Sequence, residues 1–509
     1  MTEATVFVGG RVYTGSRYAE ALLIEGDRVV AVGEAASVRR QAPSGADRYD
    51  LAGGLLLPGL ADAHLHLGEL ARSREAMDAG FVGSVGDLQE RLRSYARGRP
   101  EGPLVAMGLS LELLAERRWP TPAELDRAVR DRPLVVYHAS GHAAVPNSEA
   151  LASLPPSFAP SVPGLLREEE LQLVRPLLER AAPLSRQALG ETAQALSRFG
   201  LTAVGAVNAG THELTLLDEL AASGDLPLRV RAYPPAPTRG PLPSFPVADA
   251  GASVAVVGSK AFLDGAFGPR TAALDEPYSD APTTCGIERG EDRDLGAWVE
   301  ACRGAGLVPA LHAIGDKAVR RATHLLSSRS EGPCGARIEH ASLTPPPLLE
   351  LLRRSRPWVV VQPGFVVSDH WLPERLGWAR ARWAYAFRSL LDVGVPVAGS
   401  SDAPFDSPDP WWGMRAAVER RDAHGRSANP TPDQALPEAE ALRLYSEGAH
   451  RALGLEASSP LAPGSPAELV VLAAPTLTEG IRRGARAVRS TWWRGRPVFE
   501  APAPAGGRG

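Results

Sequence analysis

Eight short apolar runs, each leading into a helix-like pattern, constrain this chain more than any other feature. They fall at 55–66, 201–208, 228–233, 254–264, 307–314, 336–341, 358–363 and 395–402. Apolar runs alternating with helical periodicity are the pattern of βα units and a parallel sheet. The expected class is therefore α/β, and eight units fit a (β/α)8 TIM barrel, whose chemistry sits at the C-terminal tips of the strands.

The two ends of the chain read differently. Residues 1–57 and 456–500 alternate apolar and polar positions, and Gly26-Asp27 between two such runs reads as a hairpin turn. They predict a small β-sandwich domain built from both termini, around a barrel domain at 58–455. The stretch 67–200, after the first barrel strand, is too long for a loop and carries its own strand-like runs at 104–109 and 134–138. It is expected to be an inserted subdomain that roofs the pocket. The Pro-rich 234–246 reads as a surface loop and 501–509 as a flexible tail.

The strand tips carry the chemistry. His64 and His66 are two residues apart, so in a strand both imidazoles face one side. Lys260, His312, His340 and Asp402 each end an apolar run. Singly, each histidine reads as readily as a hydrogen-bonded core residue. Five strand ends all carrying a metal-competent group are harder to explain that way. Lysine is also scarce: of 55 basic residues only Lys260 and Lys317 are lysine. An amine can be neutralised and can react, whereas guanidinium stays charged. Lys317, opening the next helix, reads as solvated or ion-paired.

Composition excludes several classes. The net charge of −4 is interspersed, so no nucleic-acid or membrane surface is expected. No window approaches a membrane span. The start lacks a secretory pattern and the three cysteines lack metal-like spacing, so a cytoplasmic protein is expected. Neither lysine sits in a Gly-Lys-Ser/Thr context and no Gly-x-Ser-x-Gly occurs.

Several words recur in order along the chain. They are Pro58-Gly59-Leu60-Ala61-Asp62-Ala63-His64-Leu65-His66, Gly141-His142 with Asn147-Ser148, Lys260-Ala261-Phe262-Leu263-Asp264-Gly265, His312-Ala313-Ile314-Gly315-Asp316, Arg337-Ile338-Glu339-His340, Gln362-Pro363 and Ser401-Asp402-Ala403-Pro404. On these the chain resembles the metal-dependent amidohydrolase superfamily, in its amidohydrolase family 3 branch, which is N-substituted formamide deformylase-like. The resemblance implies one or two divalent metal ions, Zn2+ in the first place. His64, His66 and Asp402 would hold one, His312 and His340 the other, with Lys260 bridging as a CO2-derived carbamate. It further implies His142 on the substrate side. Asp264 and Arg270, on the loop after Lys260, would contact substrate or lock that loop. The implied reaction is hydrolysis of a non-peptide carbon–nitrogen bond in an amide, N-formyl or N-acyl compound, by metal-activated hydroxide with Asp402 as general base and acid. A deaminase, an esterase or phosphoesterase at the same centre, or a non-catalytic scaffold are the alternatives. The expected partner is a small molecule, and a homodimer is compatible with the sequence. Trp371, Trp411 and Trp412, with Phe267 and Phe365, read either as core or as pocket-lining aromatics.

Overall fold

The computed structural model describes residues 3–502 apart from 16, 238–239, 244, 246–250, 328–334, 422–430 and 458. Cys334, four residues of the 234–246 loop and all but the first two residues of the 501–509 tail therefore lie outside the described residues. The eight apolar runs become nine parallel strands in two sheets. One sheet orders Val254–Val256, Arg229–Tyr233, Leu201–Val207 and Leu60–Leu65. The other orders Gly258–Phe262, Val308–Ala313, Arg337–His340, Trp358–Val361 and Val397–Gly399. Most of these strands are buried along their whole length, as parallel strands covered on both faces must be. Helices cover them through apolar stripes. In Asp316–Ser327, for example, Ala318, Val319, Ala322 and Leu326 face inward at helical spacing.

The expected closed barrel is not found: among the described residues no strand ladder joins the two sheets into a ring. The run 254–264 is broken at Val257, so its halves belong to different sheets. Beyond that break only a single bridge crosses, with the Lys260 N–H donating to Pro234 O at 2.9 Å. At the other seam, Val397–Gly399 is three residues long and ends before it can pair with Leu60–Leu65. There the Asp62 carboxylate accepts the Ser401 N–H at 3.1 Å, doing what a strand carbonyl would do. The Asp402 N–H donates to His64 O at 2.8 Å, and the His66 N–H to Ala403 O at 2.8 Å. Both seams are thus tied at the C-terminal tips, where the candidate site residues lie.

The run 55–66 is also divided. Leu55–Pro58 pairs with Arg11–Tyr13 and Leu469–Leu472 in a six-stranded sheet made from both ends of the chain. This sheet shares an apolar cluster, including Phe7, Leu56, Val471 and Trp492, with a four-stranded sheet formed by residues 4–50. Ala21–Glu25 and Arg28–Gly33 form the hairpin around Gly26-Asp27.

The stretch 67–200 carries a five-stranded sheet spanning Met77–Asp78 to Leu166–Arg167, over its own apolar clusters. The helices at its two ends, Leu67–Ser73 and Arg186–Ser197, instead pack into the core of the parallel sheets through Leu67, Ala71, Leu189 and Leu196. Among the described residues no helix is long and apolar enough to cross a membrane.

Candidate metal centre

The parallel strands deliver His64, Lys260, His312, His340 and Asp402 to one end of the sheets, all buried, with His66 just after its strand. Their rings form a chain: His64 lies 5.5 Å from His66 and 5.1 Å from His340, which is 4.4 Å from His312. Asp402 closes the group, its Oδ1 standing 3.1 Å from His64 Nε2 and 3.2 Å from His66 Nε2. Donor atoms of His64, His340 and Asp402 lie within 4.8 Å of one another, as a shared ion requires.

Three of the four imidazoles are fixed from behind, and the fixing group decides which nitrogen keeps the lone pair. His64 Nδ1 meets Glu339 Oε2 at 2.6 Å. Glu339 is itself gripped by Arg337, whose Nε and Nη2 donate at 2.8 and 3.0 Å. Burial alone would push the Glu339 carboxyl up, but Arg337 and His64 hold it well below the usual range. A carboxylate only accepts, so His64 Nδ1 carries the proton and Nε2 the lone pair. His340 Nδ1 meets Gln362 Oε1 at 2.8 Å, while Gln362 Nε2 donates to Ser400 Oγ and Val360 O. His340 therefore also turns a lone pair on Nε2 to the centre. His312 is reversed: its Nε2 donates to Gly265 O at 3.0 Å, leaving Nδ1 as the free acceptor.

Charge states agree with this. Burial lowers His66, takes His340 to about 3, and puts His312 well below its ordinary value, so these rings are neutral, the form that ligates metal. Burial would raise Asp402, yet the neighbouring His64, His66 and His340 hold it well below the carboxylate range. Burial lowers Lys260 to about 8.

Three buried atoms in this group have no hydrogen-bond partner: His64 Nε2, Asp402 Oδ1 and Lys260 Nζ. A nitrogen facing a carboxylate oxygen at 3.1 Å needs a proton or a metal ion between them. Nitrogen and oxygen donors of this kind fit a divalent metal.

Above the centre opens a cavity of about 530 Å³, walled by these residues and by the inserted segment. His142 lines it, with Nδ1 2.9 Å from Glu168 and its ring 5.2 Å from that of His312. Asp264 and Arg270 are not brought to the cavity wall. The Asp264 carboxylate accepts the N–H groups of Ala273, Ile314 and Gly315, and burial raises it to about 7. Arg270 pairs with Asp280 at 2.7 Å. Both brace the loop after Lys260. The aromatic wall is Tyr137, Phe262 and Phe405, while Trp371, Trp411, Trp412, Phe267 and Phe365 lie elsewhere. Lys317 is ion-paired with Glu288 on the surface.

Sequence reasoning quoted Arg337, Glu339 and Gln362 as motif letters without giving them work. A charged pair two residues apart inside an apolar strand was the available signal. His138 and Asn208, which also line the cavity with unpartnered polar atoms, carried none.

Residues 47–499 match the amidohydrolase family. The chain belongs to this family. The YtcJ protein of Bacillus subtilis (strain 168) is 29% identical over 511 residues, covering 92% of this chain and 94% of YtcJ. The N-substituted formamide deformylase of Arthrobacter pascens is 26% identical over 477 residues, covering 84% and 85%. Among solved structures, an uncharacterized metal-dependent hydrolase from Pyrococcus horikoshii OT3 superposes with a TM-score of 0.77 at 31% identity, covering 92% of this chain and 97% of that one. As an amidohydrolase-family member with this donor set, the chain is a hydrolase with a divalent-metal site.

Proposed function

We propose that the chain hydrolyses a non-peptide carbon–nitrogen bond in an amide, N-formyl or N-acyl small molecule. The observation that carries this reading is the convergence of His64 Nε2 and the ionised Asp402 Oδ1, both buried and unpartnered, at the floor of a closed-in cavity. In the same reading, His64, His66 and Asp402 would hold one ion and His312 and His340 a second, with Zn2+ as the resident metal. Lys260 would join the donor set as a carbamate, its neutral amine bonding to the carbon of CO2 and losing a proton. The two parallel sheets then act as halves of a (β/α)8 barrel, and the terminal sheets as a small β-sandwich domain beside it.

A divalent metal bound here lowers the pKa of water to about 7 and polarises the scissile carbonyl. The chain's own residues supply the rest. Asp402 accepts the proton of the attacking water on its carboxylate and returns it to the departing nitrogen, which leaves as a neutral amine. Glu339 and Gln362 keep the lone pairs of His64 and His340 turned inward. His142, oriented by Glu168, faces the substrate.

Asp402→Asn tests the assignment. The variant is expected to fold and to retain metal, measured by elemental analysis, while amide turnover falls at least about 10²–10⁴-fold, the range of a lost general base. Near-native turnover sinks the role. Release of ammonia from amidines, or ester cleavage without amide cleavage, replaces the carbon–nitrogen hydrolase reading with the deaminase or esterase alternative.

A further inference from the structure

His142 and Glu168 flank the paired residues Ala143 and Arg167 in the sheet of the inserted segment, and the Glu168 N–H donates to His142 O at 3.2 Å. Antiparallel pairing thus sets the two side chains side by side, with His142 Nδ1 2.9 Å from Glu168 Oε2. Glu168 is held as an acceptor. It is buried, and Arg289 Nη1 donates to the same Oε2 at 3.1 Å. Burial would raise its carboxyl, but His142 and Arg289 hold it below its ordinary value. The loop after Lys260 closes on it from behind: a Cβ at Gly265 would stand 2.2 Å from Glu168 Oε1. The Glu168 backbone is left-handed, with φ of 50°, a strain of the kind that clusters at binding sites.

A carboxylate only accepts, so the proton of the His142 ring lies on Nδ1 and the lone pair on Nε2. Among the described residues no group donates to that Nε2. Unlike His64, whose Nε2 is sealed from solvent, the His142 side chain keeps 14% of its surface open and lines the cavity. Its ring neighbours are His312 at 5.2 Å and Phe262 at 6.2 Å. Neither offers it a proton, since His312 gives its own to Gly265 O. The lone pair therefore stands one ring beyond His312, and whatever binds it has to be a donor. An amide with an N–H carries that donor next to the cleaved carbon. An ester offers only oxygen lone pairs there, and a tertiary amide only carbon.

We propose that His142 Nε2 accepts the N–H of the scissile amide, and that Glu168, by keeping the ring's proton on Nδ1, makes the site select primary and secondary amides over esters and tertiary amides. This rests on the amide-hydrolase reading and narrows its substrate class. With its N–H held by His142, the leaving nitrogen keeps its lone pair for the proton returned by Asp402.

An N-alkylformamide, its N-methyl derivative and the formate ester of the same alkyl chain test this on the metal-loaded protein, with formate release as the readout. Comparing variant with native protein on each substrate cancels their differing intrinsic reactivity. His142→Phe keeps a ring against Phe262 and His312. It is expected to lower kcat/KM about tenfold for the N-alkylformamide, the worth of one hydrogen bond, and by less than about twofold for the other two. In Glu168→Gln the side-chain amide can donate to Nδ1 and leave the ring's proton on Nε2, so the ester is expected to gain on the N-alkylformamide. Nitrogen NMR of the histidine rings in the native protein is expected to show His142 protonated at Nδ1 and bare at Nε2. Equal losses on all three substrates in His142→Phe, an unchanged preference in Glu168→Gln, or a native proton on Nε2 overturns the proposal. The NMR arm decides even where a variant fails to fold. Should no formamide be cleaved, the same comparison is made on binding by calorimetry. A tighter grip on the N-alkylformamide that is lost in His142→Phe then leaves the N–H acceptor standing and removes only the amide-hydrolase reading, whereas equal binding removes both.

Discussion

The floor and the roof of the cavity are built on opposite terms. On the floor, three of the four imidazoles are held by a buried partner from a neighbouring strand or the loop just after one: Glu339 for His64, Gln362 for His340, Gly265 O for His312. The unpartnered atoms there are those that converge on the centre. The roof comes from a segment with its own sheet and its own apolar clusters, which lines the cavity with apolar side chains such as Met77 and Met107 and with charged ones, among them Arg175 and Glu168, that are already ion-paired. The converging unpartnered atoms are therefore on the sheets, while the roof's charges are largely taken up in ion pairs.

The largest effect is expected on the floor. Arg337 is fully buried and grips Glu339 through two hydrogen bonds, with a third bond to Ala63 O at 2.9 Å. Arg337→Met leaves a buried carboxylate without its main counter-charge, which costs about 3–5 kcal/mol. Because Glu339 orients His64, metal affinity is expected to fall as well, by about 10–100-fold. Denaturant unfolding and chelator competition read the two quantities. A variant that keeps both would break the contrast, since the floor would then tolerate loss of its back-side partners.

Asn147 makes the matching test in the roof. Its Oδ1 accepts the N–H groups of Leu134 and Ala150, and its Nδ2 donates to Val129 O and Arg132 O, all at 2.9–3.0 Å. Asn147→Ala removes a helix cap and strands the remaining groups, at a cost of about 2–4 kcal/mol. Hydrogen exchange is expected to show lost protection across 104–146 and retained protection across 308–327 and 337–340. Metal affinity is expected to hold. If it falls in step with roof stability, the two regions are one cooperative unit and the comparison fails.

Legibility in the sequence divides along the same line. His64, Lys260, His312, His340 and Asp402 were readable because a polar group ending an apolar run is a local signal. The partners behind them were not: Glu339 lies 275 positions from His64, and periodicity reports which face a residue occupies, not what it meets. Ring closure failed for a similar reason. A single residue, Val257, assigns two halves of one apolar run to different sheets, and the Asp62 side chain substitutes for a ladder carbonyl. The loop bracing by Asp264 and Arg270 was one of two readings the sequence left open, and only the positions of backbone N–H groups and of Asp280 distinguish it from substrate contact.

Per pH unit, the smallest expected effect lies where floor and roof meet. Glu213, in the first turn of Thr211–Ser223, accepts the Gly68 N–H at 3.0 Å across that junction. Burial foremost, and then the Glu69 carboxylate, raise its carboxyl to about 8, against the opposing Gly68 N–H, Arg72 and Arg175. An unfolded glutamate titrates near about 4.3. Between these values the folded chain keeps a proton that the unfolded chain releases, so stability falls as pH rises through the window, by at most about 1.4 kcal/mol per pH unit. Below about pH 4 both states are protonated and the group contributes nothing. Glu213→Gln keeps an acceptor for Gly68 and cannot ionise. Its unfolding midpoint is expected to match the native protein near pH 4 and to exceed it increasingly toward pH 8. Parallel pH profiles for the two proteins would mean that Glu213 is ionised and solvated in the folded chain, and that floor and roof part there rather than pack.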